Sequence, residues 1–318
     1  GRLTALGTRV EGIEGVASFT DSQVLFDAKA RAAGQEARAH GKVTLLEGTP
    51  YLDIQAESEA FDPSFILSDI PYHGAVAFRA AIKGTATSPL VTAKGEVASG
   101  EAYGIPFEHG EASIRYEDGR IYAQDVKGQA LGGSLQGELE LTAADLGFTG
   151  HVKAQGIDMA KVAAALPTVS GLEELSGRVS GDVGFSGTGK DLAKVKAYGS
   201  LQLEQGSYGG LAIEQAGTSF ALQDDALTID AFSARLPQRG SVGLEGTVQA
   251  LHGTLQLQLQ LYGGHVELGL FQALLPQADM KGIADFRGVL SGTAANPDLQ
   301  LDFSATRGEL SEIGRAHV

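Results

Sequence analysis

One stretch constrains the fold more than any other. The segment "GTLQLQLQL", residues 253–261, places leucine at alternate positions with threonine or glutamine between them. Successive side chains of a β-strand point to opposite faces of a sheet, whereas a helix repeats its apolar positions every three to four residues. The stretch therefore predicts a strand in a sheet that has one apolar face and one polar face.

Composition extends this prediction to the whole chain. The chain has 318 residues, of which 43% are hydrophobic, so it has enough apolar material to bury a sizeable core. It contains 44 glycines and no tryptophan, and it is rich in valine, leucine and threonine. Such a composition favours short strands joined by turns, and we expect an all-β fold.

Charge and the absence of cysteine narrow the classes of partner. Asp and Glu outnumber Lys and Arg by 39 to 24, giving a net charge of -15 that would repel a phosphate backbone. We therefore expect no nucleic acid partner. Without cysteine the chain has neither disulfides nor a thiolate metal site. It has no apolar run of the ~18 residues needed to span a bilayer.

The ends of the chain suggest a piece of a longer protein. It begins at Gly1 rather than at methionine, so we expect any anchor or signal to lie outside it. Residues 311–318 are interpreted either as the start of a further unit or, from residue 312, as vector-derived sequence.

An internal repeat organises the chain. The segments "IKGTATSPL" (82–90), "FSGTGKDLA" (185–193) and "LSGTAANPDL" (290–299) each follow a stretch of apolar-polar alternation. Their first glycines are 103 and 105 residues apart. A period of about 105 residues predicts one continuous body, residues 1–318, stacked from units 1–97, 98–204 and 205–310 rather than a set of globular domains.

Turn chemistry places the strands within a unit. The sequences "EDG" at 117–119 and "QDD" at 223–225 lie between alternating runs and predict β-hairpins. Further strands are predicted at 132–141, 148–155 and 240–249, which gives an antiparallel meander. One short helix is expected per unit, in segments that each end in proline: 61–71, 157–167 and 266–276.

No motif indicates an enzyme or a cofactor. "GFSGTGKD" at 184–191 approaches a phosphate-binding P-loop, but Asp191 stands where Ser or Thr would hold magnesium. The seven histidines are not spaced to share a metal ion. The acidic pairs Asp224/Asp225 and Glu57/Glu59 are interpreted as solvated carboxylates. We therefore predict no catalytic residue, no metal site and no cofactor.

The apolar stripe is the candidate site. Alternation by itself leaves two interpretations open, the core of a closed sandwich or a surface that binds something apolar. The residues predicted to form the stripe are Leu135, Leu139, Leu141, Leu201, Leu203, Leu255, Leu257, Leu259, Leu261, Leu299, Leu301 and Phe303.

The repeat resembles a known family. The segments "SGTAANPDLQLDFSATRGEL" (291–310) and "KGTATSPLVTAKGEVASGEAYG" (83–104) are similar to the TamB/AsmA-like envelope proteins, in which a G-T-x-x-x-P turn is followed by an alternating strand. The resemblance runs through essentially the whole chain. The middle copy departs from the pattern, because "GTGKDL" lacks the proline.

The resemblance implies a fold, a function and partners. It implies an elongated, twisted, U-shaped (taco-like) antiparallel sheet whose apolar groove is lined by the leucine stripe. The implied function is a periplasm-spanning conduit that carries phospholipid from the inner to the outer membrane of a double-membraned bacterium. The implied partners are phospholipid, the inner membrane through a segment outside this chain, and an Omp85-family outer-membrane barrel of the TamA or BamA type.

Two alternatives from other functional classes stay open. The chain would otherwise be a scaffold for the assembly of outer-membrane β-barrels, holding unfolded strands by β-addition. The second alternative is a structural passenger or adhesin repeat with a closed core and no cargo.

Overall fold

The structure is a computed structural model in which the predicted all-β class is confirmed. It describes residues 3–5, 8–32, 35–45, 48–63, 72–102, 104–142, 144–167, 171–189, 194–251, 253–267, 269 and 280–310. Apart from one α-helix and short 3-10 turns, the regular structure in these ranges is strand. The chain divides into two compact units, Gly1–Val152 (unit 1) and Lys153–Val318 (unit 2). This division tests neither the 105-residue repeat nor its boundaries, which stay predictions.

Unit 1 is an open antiparallel sheet in which consecutive strands pair. The exception is the short strand β6, which pairs with the end of β8, so that β5 pairs directly with β7. Its strands are β1 (Leu3–Ala5), β2 (Thr8–Phe19), β3 (Gln23–Ala32), β4 (Gln35–Leu45), β5 (Pro50–Phe61), β6 (Tyr72–Gly74), β7 (Val76–Thr85), β8 (Ser88–Ala102), β9 (Ile105–Glu117), β10 (Arg120–Ala130) and β11 (Gly133–Thr142).

Strand β12 (Gly147–Asp158) contains the division between the units. In unit 2 the strands from β13 to β20 pair antiparallel in chain order. The elements of unit 2 that follow β12 are α1 (Met159–Ala165), β13 (Leu175–Thr188), β14 (Lys196–Tyr208), β15 (Leu211–Gln223), β16 (Ala226–Arg235), β17 (Ser241–Gln249), β18 (Gln256–Glu267), β19 (Met280–Thr293) and β20 (Asn296–Leu310).

Both predicted hairpins are confirmed. Strands β9 and β10 turn at Asp118 and Gly119, whose φ angles are 48° and 76°. Strands β15 and β16 turn at Asp224 and Asp225, with φ angles of 51° and 60°. Two consecutive residues with positive φ match the twist of the flanking strands, and Asp and Gly are among the residues that accept this conformation most readily.

The helix predicted for residues 157–167 is present as α1. Asp158 caps it, since its carboxylate accepts a hydrogen bond from the backbone N–H of Ala160 at 3.0 Å. At the other two predicted helix positions, Phe61 ends β5, and residues 266–267 end β18. The rest of those segments falls largely at 64–71 and 270–276, outside the described residues.

The glycine-threonine turn has the same geometry in the first and third predicted units. The Thr85 hydroxyl accepts a hydrogen bond from the N–H of Ser88 at 3.2 Å, and the Thr293 hydroxyl accepts one from Asn296 at 3.0 Å. The preceding Gly84 and Gly292 have φ angles of 104° and 88°, which favour glycine. In the middle unit, residues 190–193 lie outside the described residues.

Candidate functional site

Unit 2 carries apolar residues in register across eight strands. Residues paired between neighbouring antiparallel strands point to the same side of the sheet. The most continuous row runs from β13 to β20 through Val183, Gly199, Phe220, Ile229, Gly246, Leu259, Leu290 and Leu299. A second row consists of the next residue along each strand that points to the same side. It runs through Gly181, Leu201, Thr218, Phe232, Leu244, Leu261, Gly288 and Leu301.

Two more rows complete what we name the apolar face of unit 2. The row on one side runs through Val179, Leu203, Ala216, Ala234, Val242, Gly263, Phe286 and Phe303, and the row on the other side runs through Phe185, Ala197, Leu222, Leu227, Val248, Leu257, Gly292 and Pro297. The face is therefore four residues deep along the strands. Its opposite side is polar, as in β18, where Gln256, Gln258 and Gln260 are exposed.

Burial across this face is uneven. Leu203, Ala216 and Ala234 form a buried cluster, and Leu236 and Val266 near the same end are fully buried. Most other large members, including Leu257 and Leu261, are only half-buried. On β20, Leu299 and Leu301 keep 51% and 45% of their surface exposed. A close-packed sandwich core would bury such side chains almost completely, so much of this face has no protein layer over it among the described residues.

Unit 1 repeats the arrangement with smaller side chains. One row runs from β2 to β11 through Ala17, Phe26, Gly41, Ile54, Ile82, Val91, Tyr116, Ile121 and Leu141, and the next runs through Gly15, Ala28, Ala39, Ala56, Ala80, Ala93, Ile114, Ala123 and Leu139. These rows define the apolar face of unit 1. Among its described residues, Ala130 is the one apolar residue of this unit that is buried.

The structure places the predicted stripe residues on these two faces. Leu135, Leu139 and Leu141 alternate along β11 and share one side of the sheet in unit 1. In unit 2, the leucines of β14, β18 and β20 fall in the four rows, and Leu255 directly precedes β18. Phe303 is opposite Phe286 in register, while its side chain lies outside the described residues. Their role in lipid binding stays a prediction.

Sequence reasoning missed most of the apolar faces of both units. The missed members of unit 2 include Phe220, Ile229, Phe232 and Leu290. Phe220, Ile229 and Phe232 stand in the alternating runs "TSFAL" and "ALTIDAF", whereas the predicted stripe contained only leucines and Phe303. The alanine row of unit 1 had a weaker signal, because a single methyl group adds little apolar surface at each alternate position.

Ion pairs lie on the polar side of unit 1. Arg38 donates to both carboxylate oxygens of Asp27, at 3.0 and 2.6 Å, and these hydrogen bonds lower the pKa of Asp27 below its ordinary value. Hydrogen bonds from Arg31 and Lys29 lower the pKa of Glu36 in the same way. All these groups are solvent-exposed, so each pair contributes little to stability.

The described residues contain no group of three or more His, Cys, Asp or Glu side chains that would hold a metal ion. No helix within the described ranges is both long enough and apolar enough to cross a membrane.

In comparisons with known proteins, the chain matches no family model, no curated protein and no solved structure. The TamB/AsmA-like resemblance therefore rests on the sequence motifs alone.

Proposed function

We propose that this chain is a non-catalytic segment of a lipid conduit, and that its apolar faces bind phospholipid acyl chains. The observation that carries the proposal is the apolar face of unit 2, which combines four apolar rows in register with large side chains that remain partly exposed. Contiguous exposed apolar surface of this extent is typical of a binding site and uncommon on a monomeric soluble protein.

The size of the face suits an acyl chain. Eight strands about 4.8 Å apart give a row of about 34 Å along the sheet. The chains of one leaflet occupy about 15 Å of a bilayer. An acyl chain laid along a row therefore has apolar contacts over its whole length, while the headgroup stays in water beside the sheet.

Energetics explain why a conduit needs such a face. Exposing two chains of ~16 methylenes to water costs on the order of 25 kcal/mol, at ~0.8 kcal/mol per methylene. A continuous apolar track removes most of that barrier. It needs no charged residue to do so, and the acidic composition of the chain does not oppose it.

The family resemblance supplies the cellular part of the proposal. We place the chain in the periplasm of a double-membraned bacterium, where it would carry phospholipid from the inner to the outer membrane. An inner-membrane anchor outside this chain and an Omp85-type barrel would hold its two ends.

The direct test is to purify the protein, extract it with organic solvent and identify lipids by mass spectrometry. We expect phospholipid in the extract, and we expect lipid-free protein to take up a fluorescent phospholipid. A protein that carries no lipid and takes up none would overturn the proposal and favour the structural passenger. Saturable binding of unfolded barrel strands without lipid uptake would favour the assembly scaffold.

A further inference from the structure

The polar side of unit 1, opposite its apolar face, carries a compact basic cluster on β7, β8 and β9. We define the basic cluster as Arg79, Lys83, Lys94 and Arg115, arranged around Thr92. Thr92 pairs with Ala81 on one neighbouring strand and with Arg115 on the other. Residues two apart on a strand share a face, so Arg79 and Lys83 flank Ala81, and Lys94 lies beside Thr92.

Two of these cations directly oppose each other. Arg79 is the register partner of Lys94, which puts their Cβ atoms about 5 Å apart. Like charges in directly opposite positions destabilise a sheet. Among the described residues, neither side chain has a carboxylate within ion-pair distance, and Lys83 has none either.

Two arginines elsewhere on the same sheet do form ion pairs. Arg38 pairs with Asp27 at 2.6 Å, and Arg120 pairs with Glu140 at 2.9 Å. Within the part of the chain that the structure describes, Arg79, Lys83 and Lys94 make no such ion pair, although carboxylates lie in register with Arg79 and Lys83 on β5. A like-charge pair such as Arg79 and Lys94 is stabilised when an anion occupies the space between the charges.

Carboxylates confine the positive region to a small area. On β5, Glu57 is the register partner of Arg79, and Asp53 is the register partner of Lys83. Strand β5 borders β7 on the side away from Lys94. Arg115 is held at the other edge by Glu117 at 3.2 Å and by the Tyr122 ring, whose centroid is 4.9 Å away. A positive area about two strands wide with an acidic border fits one compact anion and repels a long polyanion.

The centre of the cluster offers room and a hydrogen-bond donor. Ala81 and Thr92 are the shortest side chains there, and Thr92 is exposed. The Thr92 hydroxyl can donate to an anion oxygen while the surrounding Arg and Lys groups donate charge-assisted hydrogen bonds. A phosphate group has three or four acceptor oxygens and up to two negative charges. Several cations and one hydroxyl therefore suit a phosphate group better than a single carboxylate.

We propose that the basic cluster of unit 1 binds a phosphate group, supplied either by free phosphate or by a phosphate-monoester lipid headgroup. The site lies on the side of the sheet opposite the proposed lipid-binding face, and it does not depend on that function.

The test uses the whole chain and two probes, inorganic phosphate and phosphatidylcholine vesicles with or without phosphatidic acid. Calorimetry and vesicle co-sedimentation measure binding to the native chain and to Lys94→Gln. Lys196→Gln is the control, because Lys196 is an exposed lysine on a strand of unit 2. We expect Lys94→Gln to weaken phosphate or phosphatidic acid binding about tenfold or more, since a charge-assisted hydrogen bond is lost.

A second readout distinguishes a binding role from a structural one. Lys94→Gln removes the repulsion from Arg79, so without ligand its thermal midpoint should equal or exceed that of the native chain.

Binding of inorganic phosphate identifies the free anion as a source, and binding only to vesicles with phosphatidic acid identifies the headgroup. Three results would overturn the proposal: no binding of either probe, binding unchanged in Lys94→Gln, or a polyglutamate peptide binding as tightly as both probes.

Discussion

At the residue scale, the apolar faces depend on where side chains are omitted as well as on where leucines are placed. Gly246 lies in the row of Leu259, with a φ angle of 135°. A Cβ atom at this position would meet the backbone carbonyl of Gln258 and would lie 2.9 Å from the Cα of Leu259. The strands approach too closely here for any larger residue.

We expect Gly246→Ala to lower the free energy of unfolding by about 1 to 3 kcal/mol, because it adds backbone strain and a contact with backbone that cannot move aside. Gly253→Ala is the matched control, since the nearest atom to its Cβ is 3.9 Å away. Urea unfolding measures both variants. Equal midpoints for the two would contradict the close approach of β17 and β18.

The ion pair of Asp27 predicts a response to acid. Because hydrogen bonds from Arg38 hold the pKa of Asp27 below its ordinary value in the folded state, the contribution of this pair to stability is present above the unfolded-state pKa. It is lost as the pH falls through the folded-state pKa. In Asp27→Asn, the free energy of unfolding should therefore fall less steeply than in the native chain as the pH is lowered. Urea midpoints against pH measure this, with Asp302→Asn as control, and superimposed native and Asp27→Asn profiles would count against the pair.

At the scale of elements, local chemistry determined what could be predicted from the sequence. The hairpin turns at 118–119 and 224–225 and the helix after Asp158 were predictable because each depends on residues next to one another. The rows across the sheet were not, since strand register depends on bulges. One example is the register shift between Ala123 and Val126, where Asp125 has a φ angle of 51°.

The shared glycine-threonine turn gives a prediction about the repeat. Thr85→Val and Thr293→Val each remove one hydroxyl acceptor for a turn N–H, so each should cost about 1 kcal/mol of unfolding free energy. Thr228→Val is the control, because the hydroxyl of that strand residue has no hydrogen bond among the described residues. The Thr85 hydroxyl also lies 3.3 Å from the Thr87 hydroxyl, so its loss should be at least as large as that at Thr293. A clearly smaller loss at Thr85 would argue that the two turns are not equivalent.

At the scale of the whole molecule, the sequence predicted the all-β class and the alternation of polar and apolar sides. It did not predict the composition of those sides. The alanine row of unit 1 and the basic cluster each join residues from several strands, so both depend on strand register. Arg79 and Lys94, for example, are opposed only because β7 and β8 pair in one particular register.

The central claim is that the apolar face of unit 2 binds lipid, and one strand allows a direct test. Leu257 and Leu261 are half-buried on the apolar side of β18, while Gln258 and Gln260 are exposed on the other side. The variants Leu257→Glu/Leu261→Glu and Gln258→Glu/Gln260→Glu thus add the same two charges to opposite faces. Both avoid Leu259, which is only 8% exposed and would be costly to ionise.

Circular dichroism and uptake of a fluorescent phospholipid are measured on both variants and the native chain. We predict native β content in both, with uptake unchanged in the glutamine variant and reduced at least tenfold in the leucine variant, because carboxylates on the apolar face oppose acyl chains. Loss of fold in the leucine variant alone would instead identify this face as a closed core. Native fold with native uptake in the leucine variant would contradict the proposal that this face carries lipid.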